Sequence, residues 1–148
     1  MKKEPKTEVK REMTDLLNNC KLATLSTFDG KSPYASLVGF VYITKSNSII
    51  FATPIKGRKY HNLKSTPRAA LLISEAAGSD EDFYGACALT VTGPCTEIKS
   101  ADAISSYAKK FPMLEDFVRS KETAVFRLQP ESFYLVHNFQ EVSELHIG

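Results

Sequence analysis

The sequence predicts a mainly β, α+β fold: a small barrel of six or seven strands with short flanking helices. Three observations lead there. Apolar runs of strand length recur between turn signals, as at residues 34–44, 49–53 and 68–74. Asp29-Gly30 supplies a hairpin turn between two such runs. The helical segments are short and do not alternate regularly with strands, which fits a barrel better than a βαβ wind. The 148 residues are expected to form one domain, residues 1–148, and a chain of this size buries roughly 68–70% of its unfolded surface.

In chain order, residues 7–19 place Val9, Met13, Leu16 and Leu17 at helical spacing, giving one buried stripe. Residues 21–27 read as a strand leading into the Asp29-Gly30 turn, and residues 34–44 are apolar on both faces, as in a buried strand. Ser46-Asn47-Ser48 turns the chain into the strand at 49–53. A helix over 58–65 is stopped before Pro67, and a strand follows at 68–74. Residues 75–82 are acidic and read as an exposed loop, while 83–97 reads as one long strand with Gly85 and Gly93 at bends. Ser100 is a good N-cap for a helix over 101–110, and Pro112 suits the start of another through Arg119. Strands at 123–129, 132–138 and 140–144 complete the chain.

Composition narrows the function classes. A net charge of +2 does not by itself point to nucleic acid or a membrane surface. No apolar run approaches the ~20 residues that cross a bilayer, and the charged amino terminus carries no signal-peptide pattern. Cys20, Cys87 and Cys95 are odd in number and widely spaced, which argues against a disulfide framework or a zinc motif. A reducing, cytoplasmic setting is expected.

The charge is nevertheless uneven. No Asp or Glu occurs between Gly30 and Ser74, whereas seven Lys or Arg do. Inside that run, Phe51-Ala52-Thr53-Pro54-Ile55-Lys56-Gly57-Arg58-Lys59 reads as a strand end, a turn and the start of a helix. Such a junction suits a phosphate: Thr53 offers a hydroxyl, Arg58 a planar fork and Lys59 a flexible charge. The helix start adds unsatisfied N–H groups and the positive end of the dipole. Hydrogen bonds to charged groups contribute roughly 1.5–3 kcal/mol each. Three would supply much of the about −8 kcal/mol of micromolar affinity. The plainer reading of a basic cluster is a solvated helix face.

The order of these segments resembles the pyridoxamine 5′-phosphate oxidase-like FMN-binding split barrels. The match is strongest from Ala23 to Ile73, through Ser36-Leu37-Val38-Gly39-Phe40, Thr53, Gly57-Arg58-Lys59, Asn62-Leu63 and Pro67-Arg68-Ala69-Ala70-Leu71; Leu89-Thr90-Val91-Thr92-Gly93 also resembles a later family strand. The resemblance implies a split barrel with FMN as cofactor. Thr53, Arg58 and Lys59 would hold its phosphate, and the backbone of Ser36, Leu37, Val38, Gly39 and Phe40 would run beside its ring. It also implies a homodimer, with Ala88 and residues near Phe133 to Phe139 reaching the site from the partner. The family's vitamin B6 site uses Arg and Lys on the strand matching residues 36–42 and a C-terminal Trp-Arg pattern. This chain has no Arg or Lys there and no Trp, so oxidation of pyridoxamine phosphate itself is not expected.

Three functions follow from different classes. The first is an FMN-dependent oxidoreductase acting with NAD(P)H or a small organic substrate. The second is a flavin- or haem-binding carrier or sensor without turnover; some split-barrel relatives bind and degrade haem, and His137 or His146 would then serve as axial ligand. The third is a basic protein using the 45–68 surface for nucleic acid. His61, His137 and His146 lack metal-ligand spacing, so no metal site is expected. Cys87 and Cys95 fall eight apart on the expected long strand and read as small apolar fillers. Tyr34, Phe40, Phe83 and Phe133 are assigned to core, interface or flavin packing, and Tyr60 and Tyr107 to partly exposed helix positions. Flavin hydride chemistry needs no side-chain acid or base in many sites, so no catalytic residue is named.

Overall fold

The computed structural model describes residues 6–138 and 140–147. Six antiparallel strands close a barrel: β1 (Leu22–Phe28), β2 (Pro33–Ile43), β3 (Ser48–Pro54), β4 (Arg68–Ser74), β5 (Ala88–Ile98) and β6 (Thr123–Leu128). They run in the order β4-β1-β2-β3-β6-β5, and β5 returns to β4. Two further strands, β7 (Ser132–His137) and β8 (Glu141–His146), extend the sheet beyond β5.

The barrel is split because its two 11-residue strands each change partner midway. The first half of β2 pairs with β1 up to Gly39, and from Phe40 it pairs with β3. The first half of β5 pairs with β4 and β7, and from Cys95 it pairs with β6. Gly93 sits at this second change of partner. A Cβ there would lie 2.0 Å from the Gln129 carbonyl oxygen, so only glycine lets the two backbones approach.

Inside the barrel, Leu25, Phe40, Ile49, Phe51, Leu71, Ile73, Leu89, Val91, Phe126 and Leu135 are fully or almost fully buried. Helix α1 (Lys6–Asn19) adds Val9, Met13, Leu16 and Leu17 to this core, the stripe its sequence spacing predicts. Helix α2 (Arg58–Ser65) adds Leu63. After α2 come α3, a single helical turn (Asp82–Gly85), then α4 (Ala101–Lys110) and α5 (Glu115–Arg119). Ser100 caps α4 as expected, its hydroxyl accepting from the Ala103 N–H at 3.2 Å. Pro112 opens a 3-10 turn ahead of α5.

Helix α4, with Val118 of α5, forms a second apolar cluster over Ile50, Ala52 and Val125, on the outer wall made by β3 and β6. The outer wall made by β1, β4 and the start of β2 is different. Leu22, Leu37 and Leu72 point outward there and are 59%, 67% and 43% exposed.

The expected strand at 83–97 is shorter than its sequence suggests. Phe83 and Gly85 belong to α3, and β5 begins at Ala88. The Gly78 amide donates to Asp82 Oδ2 at 2.6 Å, and the Gly85 amide donates to the Glu81 carbonyl at 3.0 Å. Local hydrogen bonds thus complete a turn where strand patterning alone had extended the ladder. Cys87 consequently precedes the strand that carries Cys95, and the two do not share a strand face. Tyr107 is buried rather than partly exposed, at 2%, because α4 turns it onto Phe111 with ring centroids 5.0 Å apart.

Candidate functional site

The strand end, turn and helix start at residues 53–59 form as the sequence predicts. Thr53 is next to last in β3 and completely buried. Its Oγ1 has no hydrogen-bond partner. Gly57 is the N-cap of α2 and has no side chain to cap the helix. A Cβ built on it would meet Thr53 Oγ1 at 3.7 Å and the Pro54 carbonyl at 3.3 Å, so the turn folds back against the threonine. The first-turn amides, those of Arg58, Lys59 and Tyr60, have no intrahelical acceptor by construction.

Arg58 is exposed and lies over the Tyr34 ring, 5.3 Å from its centroid, which brings the helix start beside the beginning of β2. Lys59 is half-buried, and burial pushes its ammonium below the ordinary lysine pKa. Among the described residues neither cation has an ion-pair partner. The acid-free run of sequence is only partly uncompensated in space. Lys64 Nζ meets Glu97 Oε1 at 2.7 Å, and Arg68 pairs with Glu131. Among the described residues Lys31, Lys45, Lys56, Arg58 and Lys59 of that run have no ion-pair partner, and of these Arg58 and Lys59 stand on the first turn of α2.

Helix α2 is held from two sides. Asn62 Nδ2 donates to Thr27 Oγ1 on β1 at 3.0 Å, and both residues are buried. On the other side the Tyr60 hydroxyl and Lys64 both reach Glu97 Oε1 on β5. Sequence reading placed Asn62 in a motif without assigning it this role.

Ser36, Leu37, Val38, Gly39 and Phe40 behave according to strand alternation. Val38 and Phe40 point into the core, and Leu37 points outward. Ser36 Oγ is shielded and without a partner. A Cβ on Gly39 would touch Phe111 and the Tyr107 hydroxyl at 3.3 Å. Ligand contact from Val38 and Phe40 is therefore limited to backbone. Phe40 is further fixed from behind: Lys110 Nζ donates to its carbonyl and to that of Cys20, each at 2.7 Å, and lies over the Phe40 ring. Nothing in the lysine's sequence context signals this bridge.

Ala88 is not brought to the phosphate-side residues within one chain. It pairs with Ser74 and Val136, whereas Asn62 binds Thr27 near the far end of β1. From Thr27 back to Leu22, level with that edge, is about 16 Å of strand. Phe133 is buried in the core and His137 is buried at the end of β7. Phe139 lies outside the described residues. His146 is exposed, with Nδ1 2.8 Å from Ser132 Oγ and Nε2 3.1 Å from Glu144 Oε2.

A second cluster escaped sequence reading. Glu12, Cys87 and His137 come together from three elements, with one potential ligand atom of each within 4.8 Å of the others. Their separation along the chain hides them; only the pairing of Ala88 with Val136 brings residues 87 and 137 side by side.

Residues 9–137 match the pyridoxamine 5′-phosphate oxidase family, and the chain belongs to it. No curated protein matches the sequence. Solved structures with the same fold include a heme binding protein from Mycobacterium smegmatis, at TM-score 0.80 and 15% identity over 99% of this chain and 60% of that one. The heme storage protein HutZ from Vibrio cholerae matches at TM-score 0.68 and 19% identity, covering 93% of this chain and 92% of its own. General Stress Protein 26 from Bacillus anthracis matches at TM-score 0.73 and 15% identity, covering 95% and 99%. At these identities the likeness is one of fold. No helix among the described residues is long and apolar enough to cross a membrane.

Proposed function

We propose that this chain is an FMN-binding flavoprotein, an oxidoreductase that exchanges hydride or electrons with NAD(P)H or a small organic substrate. The observation that carries this reading is the buried, unpartnered hydroxyl of Thr53 beneath the Gly57 turn. A buried hydroxyl left unpaired costs about 1–3 kcal/mol, and a phosphate seated on the first turn of α2 would satisfy it. Arg58 and Lys59 would neutralise the roughly −1.5 to −2 charge of that phosphate. Because α2 is tied to both β1 and β5, its donors are held in place before a ligand arrives.

Bound FMN would supply the redox chemistry. The protein would anchor the phosphate, align the ring along the Ser36–Phe40 backbone and exclude water. A homodimer completes this reading. Leu22, Leu37 and Leu72 form an uncovered apolar sheet face, and a second copy against it would carry Ala88 and the β7 region to a site that one chain leaves open. Pyridoxamine phosphate is not the proposed substrate, because residues 36–42 carry no cation. Haem is the weaker alternative. His146 has both ring nitrogens engaged and His137 is buried, so neither side chain stands open to a haem face.

The test is spectroscopic. Protein incubated with FMN and passed through gel filtration should retain flavin absorption near ~370 and ~450 nm. Arg58→Ala combined with Lys59→Ala should release the flavin while far-UV circular dichroism is unchanged. Undiminished retention in that double variant would overturn the anchor, and a Soret band from the untreated protein would favour haem. Flavin-dependent NAD(P)H oxidation then separates an enzyme from a carrier.

A further inference from the structure

The geometry points to a divalent transition-metal site formed by Glu12, Cys87 and His137. Its metal would be of the zinc type, with an open coordination position. Glu12 Oε2 is 3.3 Å from His137 Nδ1 and 4.0 Å from Cys87 Sγ. Around a tetrahedral zinc with bonds of about 2.0–2.3 Å, neighbouring ligand atoms stand roughly 3.3–3.6 Å apart. The carboxylate and imidazole are already at that spacing. The thiol lies about half an ångström outside it, a gap that a small side-chain rotation closes.

The arrangement is convergent rather than linear. In a nucleophilic triad the thiol meets one imidazole nitrogen and the carboxylate orients the other. Here the thiol and the imidazole Nδ1 both approach the same carboxylate oxygen, as ligands around a shared ion do. One thiolate, one imidazole and one carboxylate suit zinc-like ions and disfavour magnesium or calcium, which take oxygen ligands.

The fold brings the site together from three separate segments. Cys87 immediately precedes β5, and its carbonyl accepts from Ser74 Oγ at 3.3 Å. His137 ends β7, next to Val136, which is paired with Ala88. Glu12 stands on α1 between Val9 and Leu16, two residues buried in the core. The histidine is buried, while the Glu12 side chain is 37% exposed, so the cluster opens to solvent on the helix side. Three protein ligands and one solvent-facing position describe a site that can exchange a water or small ligand.

This assignment rests on the geometry of Glu12, Cys87 and His137 alone and is tested on the whole protein. Cobalt(II) added to metal-free protein should produce thiolate-to-metal charge-transfer absorption with a stoichiometry of one per chain. Zinc competed against a chromogenic chelator should bind at the same stoichiometry. Disturbing residues that only support metal ligands already costs about 10–100-fold in affinity. Cys87→Ser and Glu12→Gln should each therefore weaken zinc binding by more than about 100-fold, whereas Cys20→Ser should not. Glu12 is partly exposed, so Glu12→Gln keeps the test meaningful if a variant at the buried His137 fails to fold. FMN retention, measured in parallel, should be unchanged in Glu12→Gln and Cys20→Ser. Absence of the cobalt–thiolate band, or equal zinc affinity in the wild type and Cys87→Ser, would overturn the site.

Discussion

Asn62 and Thr27 form a buried side-chain hydrogen bond, 3.0 Å from Nδ2 to Oγ1, that joins the anion-facing helix to the barrel wall. The bond is the main polar tie on that side of α2, because the helix has no side-chain cap at its N-terminus. Replacing Asn62 by Ala leaves the threonine hydroxyl buried without its donor. The expected cost is about 1–3 kcal/mol, read as a lower urea midpoint with an unchanged m-value. FMN retention should fall as well, since a loosened α2 no longer holds its first-turn amides in place.

Gly93 and Gly39 make opposite predictions from one physical rule. At Gly93 the obstacle is backbone: the Gln129 carbonyl oxygen lies 2.0 Å from the position of a Cβ. The neighbouring bonds Gln129 N–H to Pro94 O, at 2.9 Å, and Glu131 N–H to Thr92 O, at 2.8 Å, keep that segment from moving away. Gly93→Ala should cost about 3 kcal/mol or more, the upper end for overpacking, and lower Tm by roughly 10 °C. At Gly39 the obstacles are the ends of the Phe111 and Tyr107 side chains at 3.3 Å, an overlap of only a few tenths of an ångström. Gly39→Ala should change stability by no more than about 1 kcal/mol. A mild effect at Gly93 would show that the partner change in β5 does not depend on close backbone approach.

Much of this was legible in the sequence because local patterns decided it. The α1 stripe, the Asp29-Gly30 hairpin, with Gly30 at φ +99°, and α2 ending before Pro67 all follow from short-range chemistry. The Thr53–Lys59 junction was visible for the same reason, since its donors are close in the chain. What was hidden depends on contacts made across the barrel. The Asn62–Thr27 bond spans 35 residues, the Lys110 bridge to Phe40 spans 70, and the Cys87–Glu12 approach spans 75. The break between α3 and β5 was missed for another reason. Phe83, Tyr84 and Cys87 carry strand-like apolar character, but Asp82 accepts from the Gly78 and Ser79 amides and winds the chain into a turn.

Cys95 should give the protein a measurable alkaline weakness. It is completely buried, and burial pushes its thiol pKa up to about 12. The unfolded chain ionises this thiol near its ordinary value of about 8.5. A raised folded pKa means that the contribution to stability is complete below that value and is lost as pH rises toward 12. Urea midpoints measured between pH 7.5 and 10 should therefore fall more steeply for the wild type than for Cys95→Val, in which other titrations cancel. In native protein at pH 8, a thiol reagent should leave Cys95 unmodified, and denaturant should expose it. Equal pH slopes in the two proteins would mean that the thiolate is not confined to the unfolded state.

Thr53→Val separates a ligand-directed hydroxyl from a structural one. The substitution keeps the branched shape and removes only the Oγ1 donor and acceptor. In the free protein that oxygen is buried and unpartnered, so its loss should leave stability unchanged or raise it by about 1 kcal/mol. Flavin affinity should move the other way, falling by roughly tenfold for the loss of one hydrogen bond to a charged phosphate. A gain in stability with a loss of flavin affinity is the signature of a residue held in an unfavourable state for the sake of its ligand. A fall in stability of more than about 1 kcal/mol would instead give the hydroxyl a role in the fold, and the anchor would then rest on Arg58, Lys59 and the α2 amides alone.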